Sequence, residues 1–141
     1  MRGPCRTYII GVAHPSPNAL PKTQQLVVVV DDEPQMRRIM AGALQDHYRI
    51  LSAESGEEVL ALFGAMGRDI SAVVTDIRMP GMDGLALAAA LRDLGISIPI
   101  LFVSGFGVVG EAPGPFLPKP FLPDDLLAAV QQLLDDVEGD D

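Results

Sequence analysis

Apolar and polar positions along this chain alternate between two periods. Leu26–Val30 is an unbroken aliphatic run, as expected of a parallel strand buried on both faces. In Glu33–Asp46, Met36, Ile39, Met40, Ala43 and Leu44 recur at helical spacing, and Pro34 suits a first helical turn. Tyr48–Ala53 reads as a second, weaker strand. Ser55 is a plausible N-cap for the next helix, with Glu57 and Glu58 in its first turn. Its apolar face is Val59, Leu60, Leu62, Phe63 and Met66. Ile70–Thr75 is a third strand, Pro80–Gly84 a turn cluster, Leu85–Leu94 an Ala/Leu helix, and Ile98–Val103 a fourth strand. Gly105–Pro115 holds Gly105, Gly107, Gly110, Pro113 and Gly114. It resists a long helix, since Gly costs about 1 and Pro about 3 kcal/mol in a helix interior. Phe116–Pro118 is a short fifth strand, and an amphipathic helix runs from Pro123 to about Val137 on Leu126, Leu127, Val130, Leu133 and Leu134. The repeated strand–helix alternation predicts a parallel α/β sheet with helices on both faces and right-handed crossovers.

Polar groups stand at the C-terminal ends of four of these runs: Asp31-Asp32, Asp76, Ser104 and Lys119. In an open parallel sheet, ligands bind at that edge. Three carboxylates, a hydroxyl and an ammonium converging there are equipped to hold a divalent cation and a phosphoryl group. Alone, Asp31-Asp32 reads more readily as a loop and helix-cap pair; Asp76 and Lys119 make the charged cluster the better reading.

Composition narrows the possibilities. The chain has 141 residues, 48% of them hydrophobic, which is enough for one domain with a real core. Its net charge of −9 disfavours direct nucleic-acid binding, which needs a basic face. No apolar run approaches the ~20 residues of a membrane span, and Tyr8–Ala13 is too short for a secretory signal, so a cytoplasmic location is expected. Cys5 is the only cysteine and reads as inert. Residues 1–24, with Pro4, Pro15, Pro17 and Pro21, read as a tail or linker. The domain spans 25–137, and an acidic tail covers 138–141.

Val28–Pro34 (VVVDDEP), Val74–Gly84 (VTDIRMPGMDG), Val103–Gly105 (VSG) and Leu117–Phe121 (LPKPF) together closely resemble the receiver domains of response regulators in two-component signalling. The resemblance covers roughly residues 25–137. It implies a flavodoxin-like, doubly wound, five-stranded parallel sheet of order 2-1-3-4-5. It also implies Mg²⁺-dependent phosphotransfer from a histidine kinase or phosphotransfer protein onto Asp76. By the same resemblance, Asp32 and Asp76 are direct metal ligands, Asp31 orients a coordinated water, and the backbone carbonyl of Arg78 completes the protein ligands. Lys119 and Ser104 bind the phosphoryl group, Phe116 is the rotating switch aromatic, and the Lys119–Pro120 bond is cis. The chain is then a phosphoacceptor and no conventional enzyme.

Two departures carry expectations of their own. The segment between Ser104 and Lys119 is short for the family, so the helix after the fourth strand is expected to be shortened, with dimerisation through that face in doubt. Such shortening resembles receivers of hybrid histidine kinases and some stand-alone ones. No output domain is expected past Val137. Arg78 and Phe106 occupy positions that tune phosphoryl lifetime in the family, and their bulk predicts slow dephosphorylation. Two other readings compete. One is a phosphorylation-independent interaction module of the same fold, disfavoured because every acidic-site group is present. The other is a haloacid-dehalogenase-type enzyme, disfavoured because Asp31-Asp32-Glu33 lacks that family's Asp-x-Asp.

Overall fold

The computed structural model describes residues 25–105 and 114–139. Five strands, β1 (Leu26–Val30), β2 (Arg49–Ala53), β3 (Ile70–Asp76), β4 (Ile100–Ser104) and β5 (Phe116–Pro118), form one sheet. The strand order is β2-β1-β3-β4-β5, and every pairing is parallel. Among the described residues, four α-helices accompany it: α1 (Pro34–Leu44), α2 (Gly56–Met66), α3 (Gly84–Asp93) and α4 (Pro123–Gly139). This is the doubly wound, flavodoxin-like order that the alternation and the resemblance predict. The expectation of a shortened helix after the fourth strand concerns residues 106–113, which lie outside the described residues, as do the proposed tail 1–24 and residues 140–141.

Side-chain alternation along the central strands divides the core in two. Val27, Val29, Ala72, Val74, Leu101 and Val103 face Met40 and Leu44 of α1 and Leu126, Val130, Leu133 and Leu134 of α4. Leu26, Val28, Val30 and Val73 face Val59 and Phe63 of α2 and Leu87 and Leu91 of α3. All five β1 residues are buried, which explains why that run contains no polar position.

Several element ends differ from the sequence expectation by one or two residues, some for a visible local reason. Helix α1 stops at Leu44 rather than Asp46, because the His47 and Tyr48 N–H groups both turn back to the Leu44 carbonyl. Strand β4 starts after Pro99, which has no N–H for the ladder; the Pro99 carbonyl accepts from Val73 N–H. Helix α2 is capped as anticipated, with Ser55 Oγ accepting from Glu58 N–H at 3.1 Å. Helix α3 has a cap hidden in the turn cluster: Asp83 Oδ1 accepts from Ala86 N–H at 2.8 Å. Helix α4 continues to Gly139, into the first residues of the proposed acidic tail.

Gly84 shows how tightly α3 is seated. A Cβ there would lie 2.4 Å from the Asp76 carbonyl oxygen and 2.9 Å from Ile77 Cα, so only glycine fits against this backbone. Its N–H donates to the Ile77 carbonyl at 2.8 Å. By contrast, Gly95 has a φ of +77° with nothing within 4 Å of its would-be Cβ. Gly84→Ala should therefore destabilise the domain by about 3 kcal/mol or more, through overpacking against main chain. Gly95→Ala should cost about 1 kcal/mol, through conformation alone. Urea unfolding of the two variants checks this ranking.

Candidate functional site

The strand order sets β3 at the centre of the sheet, flanked by β1 and β4. The parallel register then brings the strand ends to one edge. Val30 pairs with Thr75, Asp76 with Val103, and Ser104 with Pro118. Asp31, Asp76, Ser104 and Lys119 consequently emerge together, although the sequence separates them by up to 88 positions.

Lys119 ties the cluster. Its Nζ donates to Asp31 Oδ2 at 3.1 Å and to Asp76 Oδ2 at 3.3 Å. The Asp31 side chain is fully buried, and its other oxygen accepts from Glu33 N–H at 2.9 Å. Asp76 Oδ1 accepts from Arg78 N–H at 3.3 Å. Asp32 is exposed at the mouth of the site. Asp31, Asp32 and Asp76 each offer an oxygen, all within 4.8 Å of one another.

Backbone contacts hold these side chains in place. Asp31 N–H donates to the Ala53 carbonyl at 3.2 Å, and the Asp31 carbonyl accepts from Arg37 Nη1 at 2.7 Å. Thr75 Oγ1 donates to the Asp76 carbonyl at 2.9 Å, the oxygen against which Gly84 is packed. The Lys119–Pro120 peptide is cis, as anticipated, and Lys119 N–H donates to the Ser104 carbonyl at 2.8 Å.

Ser104 is buried at the end of β4. Phe116 is half-buried against Ile77, Ala88 and Phe102 and lies opposite Phe102 in the ladder. Arg78 is exposed. Phe106 lies outside the described residues. The contacts of Arg37, Thr75 and Gly84 escaped the sequence reading. All three act on backbone atoms, which no residue pattern reveals; Gly84, in the turn cluster after Asp76, carried the only hint.

The charges are unevenly balanced. Burial, reinforced by the charge of Asp31, raises the Asp76 carboxyl above the ordinary aspartate value of 3.8, although Lys119 and the Arg78 N–H pull the other way. Burial works against the ammonium of Lys119, but its hydrogen bonds to Asp31 and Asp76 and their charges outweigh this and raise its pKa. Lys119 is therefore charged at neutral pH. One ammonium facing three carboxylates leaves negative charge in excess. An all-oxygen donor set of this kind suits a hard divalent cation, which would add the missing positive charge.

Residues 27–131 match the family model described as response regulator receiver domain. The chain is 35% identical over 117 residues to the sensor kinase CckA of Brucella abortus, covering 77% of this chain and 12% of that protein. It is 34% identical over 123 residues to the response regulator MprA of Mycolicibacterium vanbaalenii, covering 82% of this chain and 52% of that one. The chain thus spans about half or less of these curated relatives. A response regulator receiver domain protein from Clostridium thermocellum superposes with a TM-score of 0.74 at 24% identity, covering 81% of this chain and 97% of the other, and supports the fold. Among the described residues, no helix is long and apolar enough to cross a membrane.

The upward shift of Asp76 fixes a sign. Its neutral form is favoured by the fold, so its contribution to stability is complete below 3.8 and is lost as pH rises through the raised folded value. In EDTA at pH 7, Asp76→Asn should unfold at higher urea than the wild type, and the gap should close in acid. Excess Mg²⁺ should stabilise the wild type and reverse the order. Equal midpoints in EDTA at pH 7 would count against the charge imbalance.

Proposed function

This chain belongs to the response regulator receiver domain family, and on that premise we propose that it accepts a phosphoryl group on Asp76 from a histidine kinase or phosphotransfer protein. Lys119 carries this reading, because its single ammonium joins the two buried carboxylates that meet at the end of β3. A surface lysine or a plain loop pair has no reason to be held there. In the transfer, a carboxylate oxygen of Asp76 attacks phosphorus and forms an acyl phosphate. The donor's N–P bond breaks, and the histidine nitrogen keeps the electron pair. Mg²⁺, when bound, supplies the positive charge that such a transfer needs. Asp32, Asp76 and the Arg78 carbonyl would hold it directly, and Asp31 through a water.

The remaining residues act on the phosphoryl group. Lys119 can exchange its bond to Asp76 for one to a phosphoryl oxygen without leaving Asp31. Ser104, on the neighbouring strand end, donates its hydroxyl to another oxygen. The added charge of roughly −1.5 to −2 draws the Ser104 loop inward, and Phe116 rotates into the vacated space beside Phe102. The outcome is a population shift between two surfaces of one fold, read by a downstream protein. Both the sensor kinase and the response regulator among the relatives fit such a relay. In this reading the chain is a cytoplasmic signalling module whose own catalysis is limited to its phosphorylation and dephosphorylation. The interaction-module alternative finds less support, since a purely structural receiver has no need of the charged cluster.

Incubation with a small acyl-phosphate donor tests the assignment. The wild type should form an acid-stable, hydroxylamine-labile phosphoprotein only with Mg²⁺, Asp76→Ala should form none, and Lys119→Ala should lose at least tenfold in rate, the scale of removing one charge-stabilising donor. Phosphorylation of Asp76→Ala at the wild-type rate would refute it. The exposed side chain of Arg78, two residues past the acceptor, shields the acyl phosphate from water in this reading. The half-life of the purified phosphoprotein should then be minutes or longer and shorten in Arg78→Ala; a wild-type half-life of seconds excludes such shielding.

A further inference from the structure

The two carboxylates contributed by the β1–α1 loop differ in how they are held. Asp31 is buried and bonded at both oxygens. Asp32 projects from the loop to the exposed mouth. Its aim depends on the plane of the peptide joining the two residues, because that planar unit places the Asp32 N and Cα atoms from which the side chain projects. The oxygen of this same peptide is the Asp31 carbonyl, which accepts from Arg37 Nη1 at 2.7 Å.

Arg37 stands one turn into α1, with its own N–H bonded to the Glu33 carbonyl. Its side chain folds back along the helix onto the loop and is largely buried. The second arm of the guanidinium, Nη2, lies 3.8 Å from Glu54 Oε2 in the β2–α2 connection. Asp31 N–H meanwhile donates to the Ala53 carbonyl on that same side. Both backbone groups of Asp31 are thus fixed, one by β2 and the other by Arg37.

We propose that Arg37 is a positioning residue for the acidic site: its guanidinium fixes the Asp31–Asp32 peptide so that Asp32 is aimed at Asp76 before any cation arrives. The inference rests on the reading of this cluster as a divalent-cation site. Arginine suits the task because it is always charged and its fork offers donors in two directions. A charged donor also makes the bond to a carbonyl short and strong. The bridge to Glu54 contributes less, being longer and exposed. Outer residues that orient metal ligands commonly alter affinity by 10–100-fold.

The test uses the full 141-residue chain and two readouts. Mg²⁺ affinity is measured by calorimetric titration, and exchange of the Glu33 amide hydrogen is measured by NMR in EDTA. Arg37→Ala should weaken Mg²⁺ binding about tenfold and speed Glu33 exchange, while Glu54→Gln should stay within about twofold of the wild type. Arg37→Lys should recover part of the affinity, since an ammonium can replace one arm of the fork. Asp32→Asn serves as the reference. If neither the wild type nor this variant binds Mg²⁺, the cation-site reading itself fails. If the wild type binds and Asp32→Asn does not, yet Arg37→Ala matches the wild type in both readouts, the positioning role alone is overturned. A Glu54→Gln defect as large as that of Arg37→Ala also overturns it, by moving the effect to the loop–loop bridge.

Discussion

One ammonium group organises this protein's functional edge. Lys119 Nζ bonds Asp31 and Asp76, which enter from two different strands and are both buried. Two carboxylates at this separation repel each other, and repulsion grows as water is withdrawn. Without an opposing charge, burial would protonate one of them or push the strand ends apart. The lysine offsets part of that cost but cannot cancel three acids, and the remaining imbalance is the feature on which the proposed cation and phosphoryl chemistry rests. Structural compromise and chemical competence have the same origin.

The fold supports this corner mostly through main chain. Thr75 and Gly84 both bear on the Asp76 carbonyl, one by a hydrogen bond and the other by leaving room. Arg78 and Glu33 contribute amide hydrogens to carboxylate oxygens. Such donors are fixed by the backbone and need no reorganisation when charge changes nearby. The interior strands beneath them are almost purely aliphatic. The charged groups are thereby confined to the sheet's rim.

The aromatic proposed as the switch sits one strand further along. Phe116 is half-buried and packs on Phe102, Ile77 and Ala88, a small cluster apart from the two main core layers. A side chain held by a minor cluster can change rotamer at less cost than one locked in the main core. Its strand β5 is also the shortest of the sheet and stands at its edge. Lys119 follows directly from that strand, so the ammonium proposed to bind the phosphoryl group and the aromatic proposed as the switch are separated by two residues.

The order of the elements was legible in the chain because hydrophobic periodicity is a local property. Leu26–Val30 and Met40/Leu44 declare strand and helix by spacing alone, and the runs ending in Asp31, Asp76, Ser104 and Lys119 mark one edge of a parallel sheet. Boundaries were less legible, since they turn on single hydrogen bonds such as the return of His47 and Tyr48 to Leu44. Tertiary structure alone decided how the marked residues divide their work. Asp31 is buried and bonded while Asp32, its neighbour, is exposed; Arg37 reaches back to a carbonyl; Gly84 packs on the backbone of Asp76. The physical reason is that side-chain chemistry is written in the sequence, whereas the backbone atoms those side chains address carry no residue-specific signature until the chain has folded around them.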